Sequence, residues 1–294
     1  MNRVRSLIQG EECLKRGFSG RGITVAFLDS GIYTHPDLKK RIIGFQDFQE
    51  GRIGCYDDYG HGTHVAGIFG GDGRLSAGKY RGIAPECFLL PVKILDQNGN
   101  GNCGNMLKAL EWIMKNRHRF GIRVVNISVG TFKEEENNRL IEAVEAVWDA
   151  GITVVAAAGN EGPKNGSVTS PGSSRKVITV GAMDDENGRQ KGYSGRGPTA
   201  ACIIKPEILA PGSGLISCNA KIRYTRKPYT VKSGTSMATS VVTGAVTLLL
   251  EKNPELSNIE IKMRLKNCAE DMGKPKNEQG WGRLNLKKLL DNTT

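Results

Sequence analysis

The sequence predicts an α/β fold, namely a doubly wound, mostly parallel sheet with helices on both faces. Short apolar runs rich in β-branched residues alternate along the chain with segments of helical periodicity. Because these runs are apolar throughout rather than at alternate residues, they indicate a sheet that is buried on both faces. No repeat, low-complexity tract or linker divides the 294 residues, so we expect one domain around one large core.

Each predicted element follows from one of these two patterns. The strands are predicted at residues 23–29, 88–95, 123–129, 152–158 and 177–181. The helices are predicted at residues 61–70, 105–116, 137–150, 236–251 and near 258–268. Such sheets bind ligands at the carboxyl ends of strands and the amino ends of the following helices, so functional residues are expected there. Residues 1–20 are expected to form an N-terminal arm or short helix outside a single domain at 21–294.

The composition and charge narrow the functional classes. Apolar residues make up 38% of the chain and charged residues 24%, which excludes a disordered and a membrane-embedded protein. The apolar segment 241–250 is too short to span a bilayer. The net charge is +11, but no aromatic interleaving, RNP-like motif or basic helix accompanies it. A solvated surface is therefore favoured over nucleic-acid binding, although the charge can still favour acidic partners.

The cysteines and the N-terminus predict a cytoplasmic location. The seven cysteines are scattered, odd in number and never spaced as CxxC, which argues against a disulfide framework or a zinc site. The N-terminal segment begins with Met and has no continuous apolar stretch of the kind that a secretory signal needs. Either the protein stays inside the cell or the numbering begins after a removed segment, and the initial Met favours the first. We therefore expect reduced thiols in a reducing compartment.

Three distant segments carry the parts of an acyl-transfer site. Asp29 closes an apolar run, His61 begins a predicted helix in DYGHGTHVAG, and Ser236 begins another in SGTSMATS. A buried carboxylate needs a partner, which an imidazole provides, and a helix N-terminus favours developing negative charge. Taken singly, Asp29 can be a turn residue and Ser236 an ordinary N-cap. Together, in the chain order Asp, His, Ser, they predict an orienting acid, a base and a nucleophile.

The other histidines have simpler interpretations. His64 lies three residues after His61 on the same helical face, a spacing that also suits a metal ion. No Glu or third ligand stands at HExxH spacing, so no metal site is predicted. His35 and His118 are interpreted as structural or surface residues.

At these residues the chain resembles the subtilisin-like serine protease (subtilase) family, and most resembles its intracellular, AprX-like branch. Further matching motifs are AAAGNEG around Asn160, TVGA, YSGRGP and KPEILAPG, so the resemblance covers most of the chain. It implies a serine endopeptidase in which Ser236 attacks, His61 acts as base and then acid, and Asp29 orients the imidazole. It also implies an oxyanion hole formed by the Asn160 side chain and the Ser236 N–H.

The resemblance further implies polypeptide substrates, a structural role for His64, and no cofactor for the chemistry. The alternative is a catalytically silent protein of the same fold that binds peptides or signals. Such proteins usually lack a member of the triad, and none is missing here. The oligomeric state does not follow from the sequence.

Substrate contacts are also implied by the resemblance. The matching positions are Gly99, Asn100, Gly101, Ser128, Val129, Gly130, Ala158, Gly159 and Thr169. The first three match a strand edge that pairs with an extended substrate and borders the S4 pocket. The next three match the opposite edge and one wall of the S1 pocket, Ala158 and Gly159 match another wall, and Thr169 is placed near the S1 floor. Backbone pairing supplies affinity and the pockets supply selectivity, and we expect an uncharged P1 residue of medium to large size.

Three departures from the family pattern matter. The Pro that usually follows the nucleophile is absent at Thr239 and Ser240, which removes a helix kink but no catalytic group. No prodomain of useful length is seen ahead of the domain in this sequence. The alternatives are a chain that folds unaided, residues 1–20 as a short pro-segment, and a fragment of a longer protein. Asp37 matches a common calcium ligand, but the loop after HGTH lacks a run of oxygen ligands. A structural calcium ion and a simple cap or turn after Pro36 are the alternatives.

Overall fold

The computed structural model describes residues 1–131, 134–183 and 192–291. The strands are β1 Thr24–Asp29, β2 Gln46–Asp47, β3 Phe88–Lys93, β4 Ile122–Ile127, β5 Thr153–Ala157, β6 Ile178–Met183, β7 Ile208–Pro211, β8 Leu215–Cys218 and β9 Tyr229–Lys232. The helices are α1 Asn2–Leu7, α2 Glu11–Lys15, α3 His61–Gly70, α4 Cys103–Asn116, α5 Glu134–Asp149, α6 Ile222–Thr225, α7 Thr235–Lys252, α8 Asn258–Cys268, α9 Lys276–Gln279 and α10 Leu286–Asp291.

Seven strands form one sheet in the order β2-β3-β1-β4-β5-β6-β7, and every pairing in it is parallel. Helices α3 and α7 pack together on one face, and α4 and α5 pack together on the other. All six residues of β1 and of β6 are buried, as expected for strands covered on both sides. The predicted doubly wound α/β fold is therefore confirmed.

The sheet order places the carboxyl end of β1 at the centre of the molecule. β1 lies between β3 and β4, so the chain runs to one side of β1 and then crosses to the other. Crevices form at such a reversal of strand order, outside the carboxyl ends of the strands. Asp29 ends β1 here, and the segments that follow β4 and β5 begin with Ser128 and Ala158.

The differences from the predicted elements concern short segments. β2, β7 and the antiparallel hairpin of β8 and β9 have two to four residues each, too few to show a period. α4 begins at Cys103, ahead of the predicted residue 105, because the Asn102 side chain accepts a hydrogen bond from Asn105 N and caps the helix.

The N-terminal segment forms α1 and α2, which pack near α10. Val4 and Ile8 are buried, and Ile8 O accepts a hydrogen bond of 2.7 Å from Leu286 N. Arg5 Nη1 donates to Arg81 O at 2.6 Å. None of the described helices is both long and apolar enough to cross a membrane. No disulfide joins the seven cysteines, all of which fall within the described residues.

Candidate active site

Asp29 and His61 are in direct contact. The Asp29 carboxylate is fully buried, and its Oδ1 and Oδ2 lie 2.8 and 3.0 Å from His61 Nδ1. Since a carboxylate only accepts hydrogen bonds, Nδ1 carries the proton, and Nε2 is the nitrogen left to exchange one. Burial lowers the pKa of His61, but the charge and hydrogen bond of Asp29 raise it by more, so this pKa lies above its ordinary value.

A second carboxylate, Asp57, fixes the start of α3. Its Oδ1 accepts hydrogen bonds from Gly60 N at 2.6 Å and Ser30 Oγ at 2.8 Å, and its Oδ2 accepts one from Thr63 N at 2.8 Å. Ser30 Oγ in turn accepts from Gly62 N at 2.9 Å. These bonds satisfy N–H groups that have no partner within the helix, and they join the turn after β1 to the first turn of α3.

The close approach of these two turns requires a glycine at position 62. A Cβ atom at Gly62 would lie 2.2 Å from Gly31 O and 3.2 Å from the Asp29 Cβ. Any other residue would push the helix away from the strand. The contact between His61 and Asp29 depends on this spacing.

Lys93 is a buried cation beside the turn that follows β1, and no sequence motif pointed to it. It ends β3 opposite Asp29 in the parallel register and is 0% exposed. Its Nζ donates to Ser30 O and Leu95 O, each at 2.8 Å, and to Asp58 Oδ1 at 2.7 Å. The available signal was a Lys closing the otherwise apolar run FLLPVK. Asp57 and Ser30 were likewise missed, because each reads singly as a turn residue.

Ser236 stands in the first turn of α7. The side chain is 8% exposed, and Oγ donates a hydrogen bond of 2.9 Å to Ser128 O. Within the described residues no hydrogen bond joins Ser236 Oγ to His61. The backbone N–H of Ser236 is among the first of the helix, where N–H groups have no intrahelical acceptor and the helix dipole favours an anion.

Asn160 lies beside that N–H group. It is exposed, and its Oδ1 accepts hydrogen bonds from Thr235 N at 2.9 Å and Thr235 Oγ1 at 3.1 Å. Because a backbone N–H can only donate, these bonds assign Oδ1 to this position and leave Nδ2 as the outward-facing donor. Thr235 is therefore adjacent to two donors, the Asn160 side-chain amide that it contacts and the N–H of Ser236, the next residue in the chain.

The two predicted strand edges border one cavity. Its volume is about 360 Å³, and it is lined on one side by Gly99, Asn100 and Gly101 and on the other by Val129 and Gly130. Leu95, Met106 and Leu140 supply apolar side chains to its wall. Asn100, Asn102 and Thr131 supply polar groups, so the recess between the edges has a mixed lining.

Thr169 joins the second edge to the segment after β5. Thr169 N donates to Ala158 O at 3.0 Å. A Cβ at Gly130 would lie 2.3 Å from Thr169 Oγ1, and one at Gly159 would lie 2.7 Å from Thr169 Cγ2. Ala158, Gly159 and Thr169 are buried or half-buried, so the structure brings the predicted S1 residues together around an uncharged side chain.

His64 is buried in α3, and its Nε2 is hydrogen-bonded to backbone carbonyls. Its Nε2 donates to Leu215 O and Thr230 O at 3.1 and 3.2 Å, while Nδ1 has no partner among the described residues. Burial, with smaller contributions from neighbouring positive charge, lowers the pKa of His64 to about 3. The imidazole is therefore neutral at ordinary pH and ties α3 to the hairpin of β8 and β9.

The surroundings of Asp37 do not fit calcium. Asp37 Oδ1 accepts from Leu75 N at 3.0 Å and Oδ2 from Tyr229 Oη at 2.7 Å. The His, Cys, Asp or Glu side chains grouped with Asp37 among the described residues are His35 and Cys218, which offer nitrogen and sulfur, whereas calcium takes six to eight oxygens. Both nitrogens of His35 are also engaged, Nδ1 by Asp37 N and Nε2 by Pro228 O. Of the two alternatives for Asp37, the structure favours a hydrogen-bonded turn.

Known proteins resemble this chain in sequence. Residues 20–282 match the model of the Subtilase family. The chain is 41% identical over 284 residues to the serine protease AprX of Bacillus subtilis (strain 168), covering 88% of this chain and 64% of that protein. It is 37% identical over 268 residues to subtilisin Savinase of Lederbergia lenta, covering 91% of each chain.

Solved structures are similar as well. An S41 psychrophilic protease superposes with a TM-score of 0.82 at 29% identity, over 96% of each chain. A cold-adapted subtilisin-like serine proteinase superposes with a TM-score of 0.75 at 27% identity, over 91% of this chain and 89% of that one. The family model covers most of the chain, and relatives above 30% identity cover it nearly end to end. The chain therefore belongs to the subtilase family.

Proposed function

We propose that this chain is a serine endopeptidase that cleaves polypeptides through an acyl-enzyme intermediate. The observation that carries the proposal is the hydrogen bond between the buried Asp29 carboxylate and His61 Nδ1, which leaves Nε2 as the basic nitrogen. Both residues lie at the carboxyl ends of the strands, where α7 also begins and Ser236 Oγ contacts Ser128 O. Family membership and relatives named as serine proteases support it.

In the first step, Ser236 Oγ attacks the carbonyl carbon of the scissile bond and transfers its proton to His61 Nε2. For this, Oγ gives up its hydrogen bond to Ser128 O and donates to His61 instead. Hydrogen bonds between catalytic groups often form only when the substrate binds. The raised pKa of His61 favours acceptance of the proton, and Asp29 stabilises the resulting imidazolium.

The tetrahedral intermediate carries a negative charge on the former carbonyl oxygen. Asn160 Nδ2 and the Ser236 N–H are the donors proposed to stabilise this charge. Thr235 donates to Asn160 Oδ1 and so holds the amide in place, which supports a role with little reorganisation. His61 Nε2 then donates its proton to the leaving amine, and the bond to that amine breaks. A water molecule then gives a proton to His61 Nε2 and attacks the ester carbonyl carbon of the acyl-enzyme. His61 returns the proton to Ser236 Oγ as the ester bond breaks, and the acyl half leaves as a carboxylic acid.

The substrate would lie extended between the edges at 99–101 and 128–130. Added-strand pairing with backbone groups supplies affinity for any sequence, and side chains enter the recesses. In the 360 Å³ recess, the part lined by Leu95, Met106 and Leu140 can hold an apolar side chain on the acyl side. Thr169 is itself uncharged and packs against Gly130 and Gly159, which favours an uncharged P1 residue. Cleavage mainly after Lys or Arg in a P1 library would contradict this.

A fluorophosphonate probe tests the nucleophile. We expect the purified protein to be labelled at Ser236, as identified by mass spectrometry, and Ser236→Ala to remain unlabelled. Ser233→Ala is the matched control, since Ser233 is an exposed serine three residues earlier, and it should be labelled like the unaltered protein. A folded protein that refuses the probe and cleaves no peptide would favour the catalytically silent alternative.

A further inference from the structure

The segment that leads to Ser236 carries an unusual charge balance. Between Glu207 and Glu251 the sequence contains no Asp or Glu. The same segment contains five cations, which are Lys221, Arg223, Arg226, Lys227 and Lys232. They lie on β9 and on the loop that joins it to β8, here called the cationic hairpin (residues 215–232). Within the described residues none of the five lies within salt-bridge distance of a carboxylate.

Lys232 places this charge next to the catalytic histidine. It is half-buried, and its Nζ lies 5.7 Å from the centre of the Tyr59 ring. The Tyr59 ring centre is in turn 6.2 Å from that of His61. Burial lowers the pKa of His61 and Asp29 raises it, and the positive charge of Lys232 contributes a smaller lowering. This effect indicates that Lys232 and His61 are close.

Arg223 extends the positive charge outward on the same side. Its guanidinium lies 5.7 Å from the centre of the Tyr33 ring, and Tyr33 N donates to Thr63 Oγ1 at 2.8 Å. Thr63 belongs to the first turn of α3, which begins with His61. The cationic hairpin therefore borders the His61 side of the site through Lys232, and Arg223 lies over Tyr33 farther from His61.

Carboxylates in this region are already engaged. Asp57 accepts the N–H groups at the start of α3, and Asp58 Oδ1 lies 2.7 Å from Lys93 Nζ. Asp29 is buried against His61. Among the described residues none of the three forms an ion pair with Lys232 or Arg223, so both cations can still pair with an anion that approaches from solvent.

The direction of the bound substrate determines which of its residues lie near Lys232. The acyl half lies between the edges at 99–101 and 128–130, and the leaving amine takes its proton from His61 Nε2. The residues after the scissile bond are therefore expected to leave the site on the His61 side, which Lys232 borders. The Tyr59 ring lies between this side and Gly99 on the acyl side.

We propose that this chain selects polypeptides with Asp or Glu in the first two positions after the scissile bond, with Lys232 as the specificity-determining cation and Arg223 as an outer one. The proposal rests on the proposed peptidase function of the same site. A unit charge near a half-buried cation gains more than in bulk water, enough for about a tenfold preference at low salt. Since both groups still contact solvent, the preference should shrink as the ionic strength rises.

The first test compares internally quenched peptides that share one acyl half and differ only after the scissile bond, as Asp-Asp, Asn-Asn or Lys-Lys. We expect kcat/KM to be about tenfold higher for Asp-Asp than for Asn-Asn at low salt, and lowest for Lys-Lys. In Lys232→Gln the ratio should fall to about twofold, and Lys232→Arg should retain it. Lys266→Gln, which removes an exposed charge on α8, should leave the ratio unchanged. Equal rates for the three peptides, or a ratio that survives in Lys232→Gln, would overturn the proposal.

A second measurement separates this proposal from the proposed function. Binding of the same peptides, labelled with a fluorophore, is measured by anisotropy with the Ser236→Ala protein, which needs no catalysis. Tighter binding of Asp-Asp that is lost in Lys232→Gln/Ser236→Ala supports the cationic hairpin, and equal dissociation constants overturn it. If the unaltered protein cleaves none of the peptides, the peptidase function fails, and the anisotropy result still decides the charge preference.

Discussion

Replacement of Lys93 by Met tests whether a buried cation holds the turn that carries Asp29. Lys93 Nζ is fully buried and donates to Ser30 O, Leu95 O and Asp58 Oδ1. Met fills the space of the aliphatic stem but donates no hydrogen bond. The variant therefore removes three donors and leaves the packing of β3 largely intact.

The expected loss of stability follows from those three acceptors. Two are backbone carbonyls that would be left without a partner, at about 1–3 kcal/mol each. The third, Asp58, is 29% exposed, so water can replace Lys93 there. Removing a buried ammonium also relieves its desolvation cost, which offsets part of the loss. We expect the free energy of unfolding to fall by about 3 kcal/mol.

The same substitution should also reduce activity, because Ser30 O belongs to the residue after Asp29. We expect kcat/KM on a neutral peptide to fall about tenfold or more, since small displacements of catalytic groups are costly. Urea unfolding followed by fluorescence gives the stability. Lys40→Met, at an exposed lysine, is the matched control and should change neither quantity. A loss below about 1 kcal/mol in Lys93→Met, with kcat/KM unchanged, would refute the reasoning.

Three further predictions concern other side chains of the site. Asp29→Asn should lower kcat by about 10⁴-fold. Because the carboxylate that raises the pKa of His61 is gone, the acid limb of its pH–kcat/KM profile should move to lower pH, and an unmoved limb would contradict this. Asn160→Leu should lower kcat by about 10²–10³-fold with little change in KM, a magnitude measured in subtilisin, and a loss confined to KM would exclude the oxyanion role. The pKa of His64 is about 3 in the folded protein and about 6.5 in the unfolded chain, so the unfolded state binds the proton first as pH falls. Between these two pKa values the free energy of unfolding should therefore decrease with falling pH, by up to about 1.4 kcal/mol per pH unit. His64→Gln should show a shallower loss in urea unfolding between pH 6 and 4, and identical pH dependence would contradict the cause.

Local patterns were sufficient for the regular core. The burial of β1 and α7 follows from runs of apolar residues, and α3 begins at the predicted residue. The position of Asp29 at a strand end and of Ser236 at a helix start also follows from neighbours within a few residues. Elements of two to four residues, such as β2 and β7, carry no period and were not predicted.

The sequence by itself determined the α/β class and the parallel sheet, and it predicted Asp29, His61 and Ser236 as acid, base and nucleophile, because each depends on residue type and local spacing. Only the tertiary structure decided what those groups touch. Asp37 is bonded to Tyr229, 192 residues away, so its environment suits hydrogen bonds rather than calcium. Lys93 meets the Asp29 turn, and Lys232 approaches His61, through strand order and helix packing. Electrostatic interactions depend on distance in space, and separation along the chain carries no information about it.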